Sequence, residues 1–175
     1  MLQVWGAASC NEVTGVKVDT SSMLRRVRPY AEHILTFFVP GEAKPKGRPR
    51  FAKATGHAYT PKRTASEEAV IRAYGQKHMI RNGLEQPWGG PCVVVVTALI
   101  DKPKDWWEGK EPGRGDVDNY AKLVTDALNK IVFKDDRQIV ELTTAKAYSD
   151  TPGIRVHLAL YADVPKPKKT RKKAV

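Results

Sequence analysis

Apolar and polar positions alternate along this chain in two rhythms. The run Ile34-Leu35-Thr36-Phe37-Phe38-Val39, closed by Pro40-Gly41, reads as a strand. Cys92–Ile100 (CVVVVTALI) is almost continuously apolar, the mark of a strand buried on both faces at the centre of a sheet. Arg137–Tyr148 and Ile154–Ala162 read as two further strands with the Pro152-Gly153 turn between them. From Pro61 to about Asn82 the period lengthens to that of a helix. Thr60 can cap it, Pro61 suits its first turn, and Asn82-Gly83 supplies the stop. Its broken apolar stripe is Ala69, Val70, Ala73, Tyr74 and Ile80. A second helix is predicted over about Asn119–Ile131. Tyr120, Leu123, Val124, Ala127, Leu128 and Ile131 form its inner face, while Asp118, Lys122, Asp126 and Asn129 fall outside.

These elements divide the chain. Residues 1–32 show no clear period and read as an N-terminal extension, 33–163 as the organised domain, and 164–175 as a basic disordered tail. Two loops carry unusual chemistry. Lys44-Pro45-Lys46-Gly47-Arg48-Pro49-Arg50-Phe51 displays four cations on a backbone that its prolines and glycine keep out of a helix. Such a loop is either merely solvated, or it holds backbone phosphates through Lys46, Arg48 and Arg50. The loop 101–115 contains Trp106 and Trp107, which either stack on unpaired bases or cover the edge of the core.

Composition narrows the field. The 175 residues suffice for one domain with appendages, and 41% hydrophobic residues argue for a folded core. No run approaches the roughly 18 apolar residues of a membrane helix, and the first residues lack the basic start of a signal peptide. Cys10 and Cys92 have no metal-ligand spacing and are expected to be reduced thiols in a cytoplasmic protein. The net charge is +11. Six of the last ten residues are Lys or Arg with no acid among them, so the remaining body still carries +5. A balance this basic points to nucleic acid as partner.

Chemistry concentrates in residues 114–141. Asp116 and Asp118 flank the mouth of the second predicted helix, where its dipole favours ionised carboxylates. Lys122 lies one turn further on, and Asp135-Asp136 follow the helix. If the next strand starts beside the helix mouth, Asp136 completes a carboxylate cluster with Asp116 and Asp118. Such a cluster calls for a cation, and Mg²⁺ takes one or two carboxylates together with water and phosphate. The implied reaction is metal-assisted attack of water on a phosphodiester. Lys122 is then either a general base or, as neighbouring carboxylates favour, a cation that steadies charge on the phosphate. Asp126 reads as a surface partner of Lys122, and Asp135 as a turn residue beside Asp136.

The full pattern Gly115-Asp116-Val117-Asp118-Asn119, Lys122, Asp126-Ala127-Leu128-Asn129 and Lys134-Asp135-Asp136-Arg137-Gln138-Ile139-Val140, with the Lys46-Gly47-Arg48-Pro49-Arg50 loop, resembles the RusA family of Holliday junction resolvases over about residues 34–162. The resemblance implies an α+β fold, a compact domain with a mixed sheet and helices packed on it, assembled as a homodimer. It also implies Mg²⁺ as cofactor, with Mn²⁺ as a substitute. Asp116, Asp118 and Asp136 match the family's metal-binding acids, Lys122 its essential lysine, and the substrate would be a four-way DNA junction cut by paired nicks. A homodimer suits a two-fold junction that needs two active sites. Two rivals compete: a broader nuclease for flaps and forks using the same site, and a non-catalytic basic DNA-binding protein. The absence of a GxxxxGK[ST] loop speaks against a nucleotide cofactor. His33, His57, His78 and His157 are scattered and form no zinc spacing, although His57, after the basic loop, could reach a phosphate.

Overall fold

A computed structural model describes residues 31–48, 50, 51, 57–59 and 61–162. The N-terminal extension up to residue 30, the basic tail and Thr60 lie outside the described residues. In chain order the elements are β1 (Ala31–Pro40), β2 (Arg50–Phe51), β3 (Ala58–Tyr59), α1 (Lys62–Arg81), β4 (Cys92–Asp101), α2 (Val117–Leu128), a 3₁₀ turn (Asp136–Gln138), β5 (Ile139–Ser149) and β6 (Gly153–Tyr161).

Four strands make one sheet in the order β1-β6-β4-β5. β6 is antiparallel to both β1 and β4, whereas β5 runs parallel to β4, so the sheet is mixed as expected. β4 is an inner strand, and every residue of it except Asp101 is buried, which accounts for its continuous apolar run. β5 and β6 are consecutive in the chain yet are not neighbours. β4 lies between them, and the turn at Pro152-Gly153 crosses over its end instead of closing a hairpin. β2 and β3 pair separately as a small ribbon.

The core joins Leu35, Phe37 and Val39 of β1, Val94, Val96, Ala98 and Ile100 of β4, and Val156 and Leu158 of β6 to the two helices. α2 contributes Tyr120, Leu123, Val124, Ala127 and Leu128, as its periodicity predicts. α1 departs from expectation. Ala69, Val70, Ala73 and Ile80 are exposed, and the face turned inward is Thr64, Ile71, Gly75 and Met79. The reason is the helix crossing: a Cβ added at Gly75 would lie 2.5 Å from Leu128 Cδ2, so α1 approaches α2 through its missing side chain.

α2 is also shorter than predicted. Asn129 leaves the helix with φ −60° and ψ 133°, and Lys130 takes φ +63°. The Lys130 N–H then donates to the Phe133 carbonyl at 2.7 Å. This tight turn swings Val132 and Phe133 fully into the core and leaves Ile131 in the turn, not on the helical stripe. β5 likewise starts at Ile139 because the 3₁₀ turn intervenes. Burial pushes the Cys92 thiol up to about 12, so it is protonated and unreactive at neutral pH. Among the described residues no helix is long and apolar enough to cross a membrane.

Candidate active site

The site begins with a turn that only glycine accommodates. Gly115 has φ +68°, and a Cβ there would stand 2.7 Å from Pro45 Cγ and 3.2 Å from Tyr120 Cε2. Its carbonyl accepts a 2.7 Å hydrogen bond from the Lys146 ammonium of β5. The fully buried Tyr120 places its hydroxyl 3.0 Å from the Arg114 carbonyl and 3.3 Å from that of Ala43, holding two loops to α2. The chain therefore enters α2 on a fixed path. Neither Lys146 nor the Tyr120 hydroxyl was singled out by the sequence pattern. A lone lysine inside an otherwise uncharged half-buried stretch of strand was the available signal.

Asp116 occupies the N-cap position of α2 without capping it, so its carboxylate remains available, touched by Asn119 Nδ2 at 3.4 Å. Asp118 lies in the first turn, and Lys122 Nζ is 3.3 Å from its Oδ2 with both side chains well exposed. Opposite them runs the basic loop. Lys46, Gly47 and Arg48 on one side and Asp116, Asp118, Asn119 and Lys122 on the other line an open pocket of about 220 Å³. The sequence-predicted acids of α2 thus face two of the three predicted phosphate-binding cations. The third, Arg50, begins β2, and its side chain lies outside the described residues.

The two loop cations differ. The Lys46 backbone N–H donates to the Asn119 carbonyl at 3.2 Å, and its ammonium is held between Glu68, at 2.7 Å, and Asp126. Burial alone would lower the Lys46 pKa, but its hydrogen bonds to Asp126 and Glu68 outweigh this and raise it. Asp126 therefore serves Lys46, not Lys122 as its spacing suggested; Lys122 turns back to Asp118. The Gly47 N–H is held by Thr64 Oγ1 at 3.2 Å, which fastens the loop to α1 as well. Arg48 is exposed and has no ion pair or hydrogen bond among the described residues.

Asp135 and Asp136 separate in role. Asp135 caps the 3₁₀ turn in a capping box with Gln138 and accepts from Arg137 Nε at 2.8 Å. The hydrogen bonds from the Arg137 side chain, then from its backbone, hold the Asp135 carboxyl far below the usual range. Asp136 is exposed and does not line the pocket. It sits beyond the far end of α2, where Gln138 Nε2 donates to the Gly90 carbonyl at 2.7 Å, just ahead of β4. Among the described residues no three His, Cys, Asp or Glu side chains converge as a metal-binding group.

Outside the pocket, the two tryptophans part company. Trp106 packs against the core under the Lys102 ammonium, 4.6 Å from its ring centroid, while Trp107 is 60% exposed. His33 meets Trp88 edge-on, His78 lies tilted against Phe37, and His157 is buried. His57 is exposed. In donor chemistry the pocket suits a hard divalent cation, since Asp116, Asp118 and the Asn119 side chain offer oxygen ligands on one wall.

Residues 40–159 match the model of the family described as Endodeoxyribonuclease RusA. The chain is also 31% identical over 136 residues to the uncharacterized protein YqaN of Bacillus subtilis (strain 168), an alignment covering 70% of this chain and 93% of YqaN. An α+β domain with a mixed sheet, two aspartates at a helix mouth and a lysine one turn later stands inside that matched span. The chain belongs to the RusA family of endodeoxyribonucleases and is a hydrolase acting on DNA.

Proposed function

We propose that this enzyme resolves Holliday junctions, as a homodimer in the cytoplasm of a bacterial or phage-infected cell, by paired symmetric nicks that require Mg²⁺ or, in its place, Mn²⁺. The observation that carries this reading is the pocket in which Asp116, Asp118 and Lys122 face Arg48, in a chain of the RusA family. Asp116 and Asp118 would hold the cation, with Asp136 as the third acid. When bound, such an ion lowers the pKa of its water and offsets charge on phosphate oxygens.

The chain's own residues do the positioning. Lys122, solvated and paired with Asp118 among the described residues, can turn its ammonium to the scissile phosphate and stabilise the charge that builds on it. Arg48 presents a planar donor fork suited to a neighbouring phosphate. The stiff loop behind it keeps that fork in register with the acids.

The decisive experiment offers labelled four-way junction, flap, fork and linear duplex to the protein with Mg²⁺ or EDTA. Symmetric Mg²⁺-dependent nicks in the junction support the reading. Equal cutting of flaps and forks would broaden it to branched DNA in general, and no cleavage of any substrate would overturn it. Loop variants give a second check. Arg48→Met is expected to weaken junction binding and flatten its dependence of log Kd on log salt by about 1, the value of one lost phosphate contact. Lys46→Met is expected to leave that slope and to lower the melting temperature, because Glu68 and Asp126 lose their shared partner. Fluorescence anisotropy across a salt series and thermal melts measure both.

A further inference from the structure

Trp107 is a large ring that neither the core nor the pocket uses. It stands in the loop of residues 102–115, which leaves β4 and enters α2 through Gly115. Trp106 beside it already closes the core edge under Lys102, and Trp107 stays 60% exposed. A ring of that size left in water gives the fold no burial energy in return. The loop nevertheless holds it on a firm mount. The Lys110 N–H donates to the Trp107 carbonyl at 3.1 Å and closes a turn. Gly109 in that turn has φ +92°, and a Cβ there would stand 3.3 Å from Cζ3 of the Trp107 ring. One side of the ring thus rests on bare backbone, which glycine alone supplies in this conformation.

The loop is braced along its length. Lys102 pairs with Asp150 at 2.9 Å, Lys110 with Asp105, and Arg114 with Glu42, while the Tyr148 hydroxyl donates to the Glu111 carbonyl at 3.1 Å. Three of the four cations in residues 102–115 are therefore matched by carboxylates. What the loop offers a partner is mainly an aromatic face, not a grip on phosphate. The ring is also kept near the acids. Trp107 and Lys110 end a four-residue turn, about 7 Å apart or less at Cα, and the chain from Lys110 to Gly115 spans about 18 Å at full extension. Trp107 thus lies within about 25 Å of the mouth of α2, less than the roughly 34 Å of one turn of duplex.

We infer that Trp107 is a base-stacking site: its open face takes an unpaired nucleobase at the crossover of branched DNA, so that this residue favours branched over linear substrate. This rests on the reading, made above, that the enzyme works on junctions. Intact duplex keeps the faces of its bases inside its own stack and offers the ring nothing. Bases where strands exchange are free to leave the stack. Stacking accepts any base, since every base has a π-face, which suits an enzyme that selects by shape. Trp107 and Arg48 then divide the work. The cation holds backbone phosphate in any DNA, and the ring marks the branch and sets its distance from Asp116 and Asp118.

The test compares the full chain with Trp107→Ala and Trp107→Phe, in EDTA, on a four-way junction and on linear duplex of the same sequence. Trp107→Ala is expected to bind the junction about tenfold more weakly, the value of one lost base stack, and the duplex as wild type does. Trp107→Phe keeps a ring and should hold most of the junction affinity. A second reading comes from junctions carrying 2-aminopurine at single positions beside the crossover. At one such position, saturating wild-type protein should quench the probe and Trp107→Ala should leave it bright. Equal junction binding by wild type and Trp107→Ala overturns the inference, as does an equal loss on junction and duplex, or a probe that responds alike to both proteins at every position. A lowered melting temperature in Trp107→Ala would assign the ring to the core and overturn it too. Failure of the underlying reading looks different: wild-type protein would then hold the junction no better than the duplex, whereas failure of this inference leaves that preference intact in Trp107→Ala.

Discussion

Asp118→Asn is expected to lose junction cleavage by about a thousandfold while retaining the fold and the affinity for DNA. The carboxylate is solvent-exposed and, among the described residues, is paired with Lys122 at 3.3 Å, so its replacement by an isosteric amide disturbs no packing. Exposed pairs of this kind are worth well under 1 kcal/mol, and the melting temperature should stay within about 2 °C of wild type. On the proposed reading its catalytic value is larger, because the divalent ion it would hold supplies several kcal/mol of transition-state stabilisation, and each 1.4 kcal/mol is a factor of ten in rate. Losing about 4 kcal/mol therefore costs about a thousandfold. DNA binding should be unchanged or slightly tighter, since a negative charge facing phosphates has been removed. Single-turnover rates at saturating junction, with anisotropy titrations, separate the two effects. A variant cutting within tenfold of wild type would remove Asp118 from the catalytic set.

The contrast between α2 and α1 shows what the sequence makes legible. α2 was readable because its large residues repeat at helical spacing and every one that lies in the helix is buried, from Tyr120 to Leu128. α1 buries Ile71, Gly75 and Met79, and a glycine carries no signal in an apolar count although it sets the closest approach between the helices. Ile131 misled for the opposite reason, since it keeps the spacing of the stripe after Asn129 and Lys130 have ended the helix. The acids at the helix mouth were legible because local sequence alone brings Asp116, Asp118 and Lys122 together. The partners of Lys46 were not, since Glu68 and Asp126 reach it from two different helices. Nor was the location of Asp136. It depends on β5 running parallel to β4, a pairing that sends the chain back to the bottom of the sheet and away from the helix mouth.

Gly153→Ala is expected to be strongly destabilising, and to damage activity only by damaging the fold. Gly153 opens β6 between Pro40 of β1 and Leu99 of β4. A Cβ there would lie 2.4 Å from the Val39 carbonyl oxygen and 2.4 Å from Phe38 Cε2, at φ +158°. The phenyl ring can move, but the carbonyl belongs to a strand held in register along its length, so the backbone itself must yield. Strain of about 1–3 kcal/mol and a comparable overpacking term together give about 2–6 kcal/mol. At about 2–4 °C per kcal/mol for a domain of this size, the melting temperature should fall by roughly 4–24 °C. Asp116, Asp118 and Lys122 are placed by the Gly115 turn and α2, which this lesion does not touch. Cleavage should therefore persist at a temperature well below the new midpoint and disappear as the protein melts. Circular dichroism melts run beside cleavage assays at two temperatures test this directly. Wild-type melting in Gly153→Ala would mean that β6 opens with more room than the Val39 carbonyl allows. Activity absent even in the folded variant would mean that the start of β6 and the pocket are coupled more tightly than their separate anchors imply.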